Sequence, residues 1–129
     1  MDRRCVALCA AACAVLALPA AAPAQVTTDL NNWNLTETPN WWGGGTQFHI
    51  SSSGDGTASY RWLDSPNKTT VIAAHRCTDV SLINSVAISV NNTSYHHLFS
   101  GWAGVCFMLR GRTAIGSGSM VNHDGRVRR

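Results

Sequence analysis

The sequence predicts an all-β protein, a small single-domain β-sandwich or barrel with one disulfide. Three observations carry that expectation. Short runs of alternating apolar and polar residues recur, separated by turn formers at roughly 8–12-residue spacing. No stretch after residue 24 holds a 3.6-residue apolar period over a useful length. Only two cysteines, Cys77 and Cys106, remain once the first 24 residues are set aside.

Residues 1–24 read as a secretory signal peptide. Met1-Asp2-Arg3-Arg4 is a short basic start, Cys5 to Leu18 is apolar, and Pro19 breaks the run. Ala22-Pro23-Ala24 then places small residues where a signal peptidase cuts. Cleavage after Ala24 takes 24 of the 129 residues and leaves 105, starting at Gln25. Cys5, Cys9 and Cys13 leave with the leader, so an odd count of five becomes a pair. Outside the cytosol that pair makes one disulfide. Closing a loop of about 30 residues stabilises by roughly 3–4 kcal/mol on the chain-entropy account, a large share of what a small domain carries. The leader is too short for a membrane anchor, and no later segment is apolar enough to span. The expectation is a secreted, extracellular monomer with one core.

The organisation expected is a leader over 1–24, an irregular N-terminal arm and glycine hinge over 25–45, and a β domain over 46–129. Asp29, Asn31, Asn32, Asn34 and Pro39 are turn formers, so Gln25 to Asn40 reads as an arm carrying Trp33, and Gly43-Gly44-Gly45 as a hinge. Thr46 to Ser52 alternates, with Phe48 and Ile50 on one face. After the turn signal Ser53-Gly54-Asp55-Gly56, Thr57 to Leu63 alternates again, with Ala58, Tyr60 and Trp62 on one face. Together they predict a β-hairpin. Thr69 to Ala74 is β-branched and reads as a buried strand. Cys77 to Asn84 has room for one helical turn at most. Ser85 to Val90 puts Val86, Ile88 and Val90 inward. Tyr95 to Phe99 is a short strand, and Val105 to Leu109 is apolar on both faces, as a central strand is. Gly111 to Gly118 reads as a bulged strand ending at Ser119–Val121. Asn122-His123-Asp124-Gly125 predicts a last hairpin, and Arg126 to Arg129 a frayed, solvated tail.

The compositional anomaly is tryptophan. All five (Trp33, Trp41, Trp42, Trp62 and Trp102) follow the leader. A small core holds two or three, and the rest face solvent or a ligand. A flat ring among Asn, Thr and Ser suits the C–H face of a sugar, whose hydroxyls bond to amides and hydroxyls. Trp41, Trp42, Tyr60 and Trp62 form the candidate platform, for a polysaccharide or cell-wall ligand. The competing expectation is that most of these rings fill the core.

The other chemistries are thinner. His49, His75, His96, His97 and His123 show no ligand spacing, so no metal and no cofactor are expected. A nuclease reading rests on His96 or His97 with His75, Arg76, Arg110 or Arg112. After the leader eight basic and six acidic residues remain, too small an excess to favour nucleic acid. Gly116-Ser117-Gly118-Ser119 lacks the pattern of a nucleophile elbow and the lysine of a phosphate loop. A secreted inhibitor of a foreign protease is the third class, with Arg76–Val80 or Asp64–Lys68 as its rigid loop. Asn34, Asn67 and Asn91 head Asn-x-Thr glycosylation triplets. The leading expectation is non-catalytic binding.

Overall fold

The computed structural model of the protein describes residues 25–37, 46–52 and 54–129. Among them are eight strands and no helix: β1 Thr27–Leu35, β2 Gln47–His49, β3 Thr57–Trp62, β4 Thr70–Arg76, β5 Leu82–Ile88, β6 His96–Ser100, β7 Cys106–Thr113 and β8 Met120–Arg128. They form two four-stranded antiparallel sheets, ordered β1-β8-β3-β6 and β2-β7-β4-β5. Apart from β4 and β5, consecutive strands lie in opposite sheets. This is the strand order of an eight-stranded jelly roll, so the fold is a sandwich rather than a barrel.

The inner faces follow from period-2 alternation. Phe48 and Ile50 point inward from one sheet, and Ala58, Tyr60 and Trp62 from the other, all nearly or fully buried. The expected hairpin between these two runs does not form. β2 pairs with β7 and β3 pairs with β6 and β8. Alternation identifies the buried face of a strand and is silent on its partner. The link around Gly54–Gly56 carries the chain from one sheet to the other, and Gly101 N–H donates to Gly56 O at 2.7 Å to hold it there.

The arm expected over 25–45 is in its first part a strand. β1 pairs with β8 from Thr27↔Arg128 to Leu35↔Met120, with register shifts on either side of Trp33. Its asparagines act as turn formers inside the ladder. Asn32 has φ 54° and its N–H donates to Asp124 Oδ1 at 2.8 Å. Asn34 Oδ1 accepts from the N–H of Asn122, which has φ 57°. Asparagine tolerates this left-handed conformation better than most side chains, so Asn122 makes a bulge within β8 and not the predicted hairpin. The C-terminal residues are not a frayed tail. β8 is a central strand, Val127 is fully buried, and Arg129 and Val26 exchange backbone hydrogen bonds of 2.8 Å. Trp41, Trp42 and the Gly43–Gly45 hinge lie outside the described residues.

β4, β5, β6 and β7 fall on runs expected to be strands, with three differences. β5 begins at Leu82, inside the segment expected to hold at most one helical turn. Val90 lies beyond the end of β5 and is largely exposed. β7 ends at Thr113, and residues 114–119 form a turn and not a bulged strand. The Glu37 carboxylate holds that turn, accepting from Gly116 N–H at 2.5 Å and Gly118 N–H at 2.6 Å. Both glycines have positive φ, which makes the N–H groups converge on one acceptor.

The core is built around three rings. Trp33, Tyr60 and Trp62 have centroids 5.3–5.9 Å apart in edge-to-face or tilted contacts. Trp62 is fully buried, so its indole N–H needs an acceptor, and Thr70 Oγ1 on the other sheet supplies it at 3.0 Å. Gly125 faces Trp62 across the β3–β8 ladder and Leu30 across the β1–β8 ladder. A Cβ there would overlap the Tyr60 hydroxyl and ring. Along one side of the sandwich, Asn84 Nδ2 on β5 donates to Leu98 O on β6 at 2.6 Å and ties the two sheet edges together.

Two predictions follow from this packing. Gly125→Ala is expected to lower stability by about 2–3 kcal/mol through overpacking, read as a reduced urea midpoint at constant m-value. Adding Tyr60→Phe should return part of that loss, measured as a coupling energy between the two sites. Glu37 tests the turn. Its two backbone donors hold the carboxyl below the ordinary value of 4.5. A lowered folded-state value means the stabilisation is complete above that ordinary value and is lost as pH falls through the lower one. The stability difference between the wild type and Glu37→Gln should therefore shrink on acidification below about pH 4.5, followed by urea unfolding.

Candidate functional site

The described surface has a prominent feature at one end of the sandwich, where the β4–β5 turn meets the β6–β7 loop. Arg76 and Phe107 are the last paired residues of the β4–β7 ladder. The next residue on β4's side, Cys77, and the first of β7, Cys106, are joined by the disulfide with Cα atoms 5.6 Å apart. The pairing expected from cysteine count is thus present, and it staples the end of the central ladder.

The β4–β5 turn is tight. Arg76 N–H donates to Ser81 O at 2.9 Å and Val80 N–H to Arg76 O at 3.1 Å. Asp79 Oδ1 accepts from Ser81 N–H and Oγ, which lowers the Asp79 carboxyl below its ordinary range. Val80 closes the turn with φ 60°. A β-branched residue there is a strained outlier. The buried His75 helps to impose the conformation: its Nδ1 lies 2.9 Å from Val80 O. A carbonyl only accepts, so Nδ1 carries the proton.

The β6–β7 loop is pinned from the other side. Gly104 N–H donates to Ile50 O at 2.9 Å and Ile50 N–H to Val105 O at 3.0 Å. On this fixed loop Trp102 stands 84% exposed. Beside it runs a groove of about 360 Å³, with Ile83, Phe99 and Val105 as its apolar floor, the disulfide as one wall, and Arg76, Thr78 and Ser100 on its polar rim. That volume lies within the range of small-ligand sites.

The candidate platform residues are placed differently from the expectation. Tyr60 and Trp62 are fully buried in the aromatic core, so neither offers a face to a sugar. Trp41 and Trp42 lie outside the described residues. Among the described residues the exposed indole is Trp102, which pattern reading passed over. Its flanks, Gly101 before and Ala103-Gly104 after, mark a loop tip between two strands, and a large ring with no apolar partners beside it was the available signal.

The histidines do not converge on one centre. His75 is buried on β4 in one sheet, whereas His96 and His97 lie on β6 in the other. His123 Nδ1 lies 3.1 Å from Asp64 Oδ2. Among the described residues no three His, Cys, Asp or Glu side chains stand close enough to share a metal ion, and no helix is long and apolar enough to cross a membrane. Asn34, Asn67 and Asn91 are all exposed.

The carboxylates account for themselves. Asp29 pairs with Arg126, Glu37 binds Gly116 and Gly118, and Asp55 caps Thr57 and binds Gln25. Asp64 accepts from Asp124 N–H, Asp79 from Ser81, and Asp124 from Asn32. Those are all six acidic residues that follow residue 24, and each holds backbone or a structural partner.

No family model matches the chain, and no curated protein is similar to it. Among solved structures it is similar to a chain of the disulfide-linked pili that form Bacillus endospore appendages, at 8% identity and a TM-score of 0.36, over 86% of this chain and 95% of that one. A likeness at that level carries no argument about function or assembly.

The strained turn gives a direct test. Val80→Gly is expected to raise stability by about 1 kcal/mol, because glycine adopts this φ without strain. A thermal melt of the oxidised protein reads it. A lower midpoint would mean that the valine side chain itself holds the turn.

Proposed function

We propose that this is an exported, non-catalytic binding protein whose ligand face is the Trp102 end of the sandwich, with a glycan or cell-wall polymer as its ligand class. The observation that carries the reading is the exposure of Trp102 on a loop fixed by backbone bonds, beside a groove with an apolar floor and a polar rim. An indole face takes the C–H side of a sugar ring, while Arg76, Thr78 and Ser100 offer hydrogen bonds to its hydroxyls. A pre-fixed site loses little entropy on binding. The structural employment of every carboxylate supports binding over acid–base catalysis. Export is supported by the leader sequence and the Cys77–Cys106 disulfide.

A second reading, inhibition of a foreign protease, has the disulfide-held turn behind it. That turn is closed by an Arg76–Ser81 hydrogen bond, whereas a loop lying along an active-site cleft is extended. It predicts a one-to-one complex that depends on Arg76 and is indifferent to Trp102.

The deciding experiment is retention of the oxidised protein on a panel of insoluble and soluble glycans, with tryptophan fluorescence alongside. Retention on one polymer is expected, with an emission shift that disappears in Trp102→Ala. That variant should fold normally, since the ring is exposed, and should lose affinity by at least about tenfold, as truncated aromatic anchors do. Equal retention of both proteins, or none by either, would overturn the assignment.

A further inference from the structure

The outer face of the β1-β8-β3-β6 sheet carries an arrangement that the Trp102 site does not use. Ladder register places Arg61 on β3 directly opposite Arg126 on β8. Arg128, two residues on, shares the face. Like charges opposite each other on neighbouring strands are destabilising, so three guanidinium groups here need a reason.

One of the three is neutralised. Arg126 grips Asp29 on β1 with two bonds, Nε to Oδ1 at 2.5 Å and Nη2 to Oδ2 at 2.9 Å. Arg61 and Arg128 have no acidic partner within ion-pair distance among the described residues, although the Asp29 carboxylate that Arg126 grips is near enough to interact with Arg61. Both instead lie on the ring of Tyr95, with Cζ 5.3 Å and 4.0 Å from its centroid. Such stacking is worth about 0.5–1 kcal/mol at an exposed site and leaves the full charge in place. It also gathers both guanidinium groups beside one ring, where a single multivalent anion can meet them together.

We propose that Arg61 and Arg128, held on Tyr95, form a binding site for the sulfate or phosphate groups of an anionic polysaccharide. A bound oxyanion would relieve the repulsion between strands and meet both guanidinium groups. Nucleic acid fits this face less well. Its bases need free aromatic faces to stack on, and here the one tyrosine is taken by the arginines. The small excess of eight basic over six acidic residues points the same way. The proposal is independent of the groove beside Trp102, so either site can fail alone.

The test uses the oxidised protein, with tripolyphosphate and sulfated dextran as probes and uncharged dextran and sodium chloride at matched ionic strength as controls. Both anionic probes are expected to raise the melting temperature in a saturable way, and sulfated dextran to retain the protein. In Arg61→Gln/Arg128→Gln, affinity for both should fall by at least about tenfold, two charge-assisted contacts being lost. Arg110→Gln, on a strand of the other sheet, should change nothing, and Trp102→Ala should keep the anion response. A response to only one probe would say whether phosphate or sulfate is the preferred group. A shift no larger than sodium chloride gives, an unchanged response in the double variant, or tighter binding of a single-stranded oligonucleotide than of sulfated dextran would each overturn the proposal.

Discussion

The sandwich depends on the absence of a side chain at Gly125. The ring of Tyr60 lies where a Cβ would be, and Tyr60 packs on Trp33 and Trp62. The register that puts Gly125 opposite both Trp62 and Leu30 is therefore the one register in which three large rings fit between the sheets. A one-residue slip of β8 would drive a side chain into the tyrosine and turn the buried residues of β8, Val127 among them, outward. The buried indole N–H then adds a second condition. It must find Thr70 on the opposite sheet, and this hydrogen bond sets how β3 lies over β4. Packing and polar satisfaction agree on a single arrangement, which is how a small core becomes specific.

Much of this was legible in residue order. All-β class, the disulfide, and the inward faces of β2 and β3 follow from alternation and cysteine count. Pairing was not legible, because period 2 names a face and not a neighbour. The two best alternating runs, around Phe48 and around Tyr60, read as a hairpin and lie in opposite sheets instead. The ends of the chain were hidden for another reason. Asparagine signals a turn because it tolerates positive φ, and Asn32 and Asn122 use that tolerance for bulges within the β1–β8 pair. The chemistry was read correctly and its setting was not.

The candidate site was the least legible part, for a physical reason. A tryptophan is informative by its exposure, and exposure is a property of packing. Tyr60 and Trp62 lie on a strand whose other inward residues are apolar, and they went to the core. Trp102 sits between glycines at a loop tip and stayed out. The end of the molecule around it is also where strain is kept. Val80 holds a conformation that glycine adopts more readily, and His75, Asp79 and the disulfide enforce it. Strain of this kind persists only where the surroundings over-determine it, and it falls beside the groove.

The distribution of charge separates holding from binding. Each of the six carboxylates after residue 24 is committed to a backbone N–H, an arginine or a histidine. Asp29, Glu37, Asp55 and Asp79 have their carboxyls lowered chiefly by those hydrogen bonds. A general acid needs the opposite, a carboxyl raised toward neutrality by burial or a like charge. These acids are therefore spent on holding turns, bulges and a cross-strand ion pair among the described residues. The cations are not spent in the same way. Arg126 is matched, while Arg61 and Arg128 rest on a neutral ring. A chain that uses all its negative charge internally and leaves part of its positive charge on a flat outer face has, by that division, an electrostatic surface directed outward.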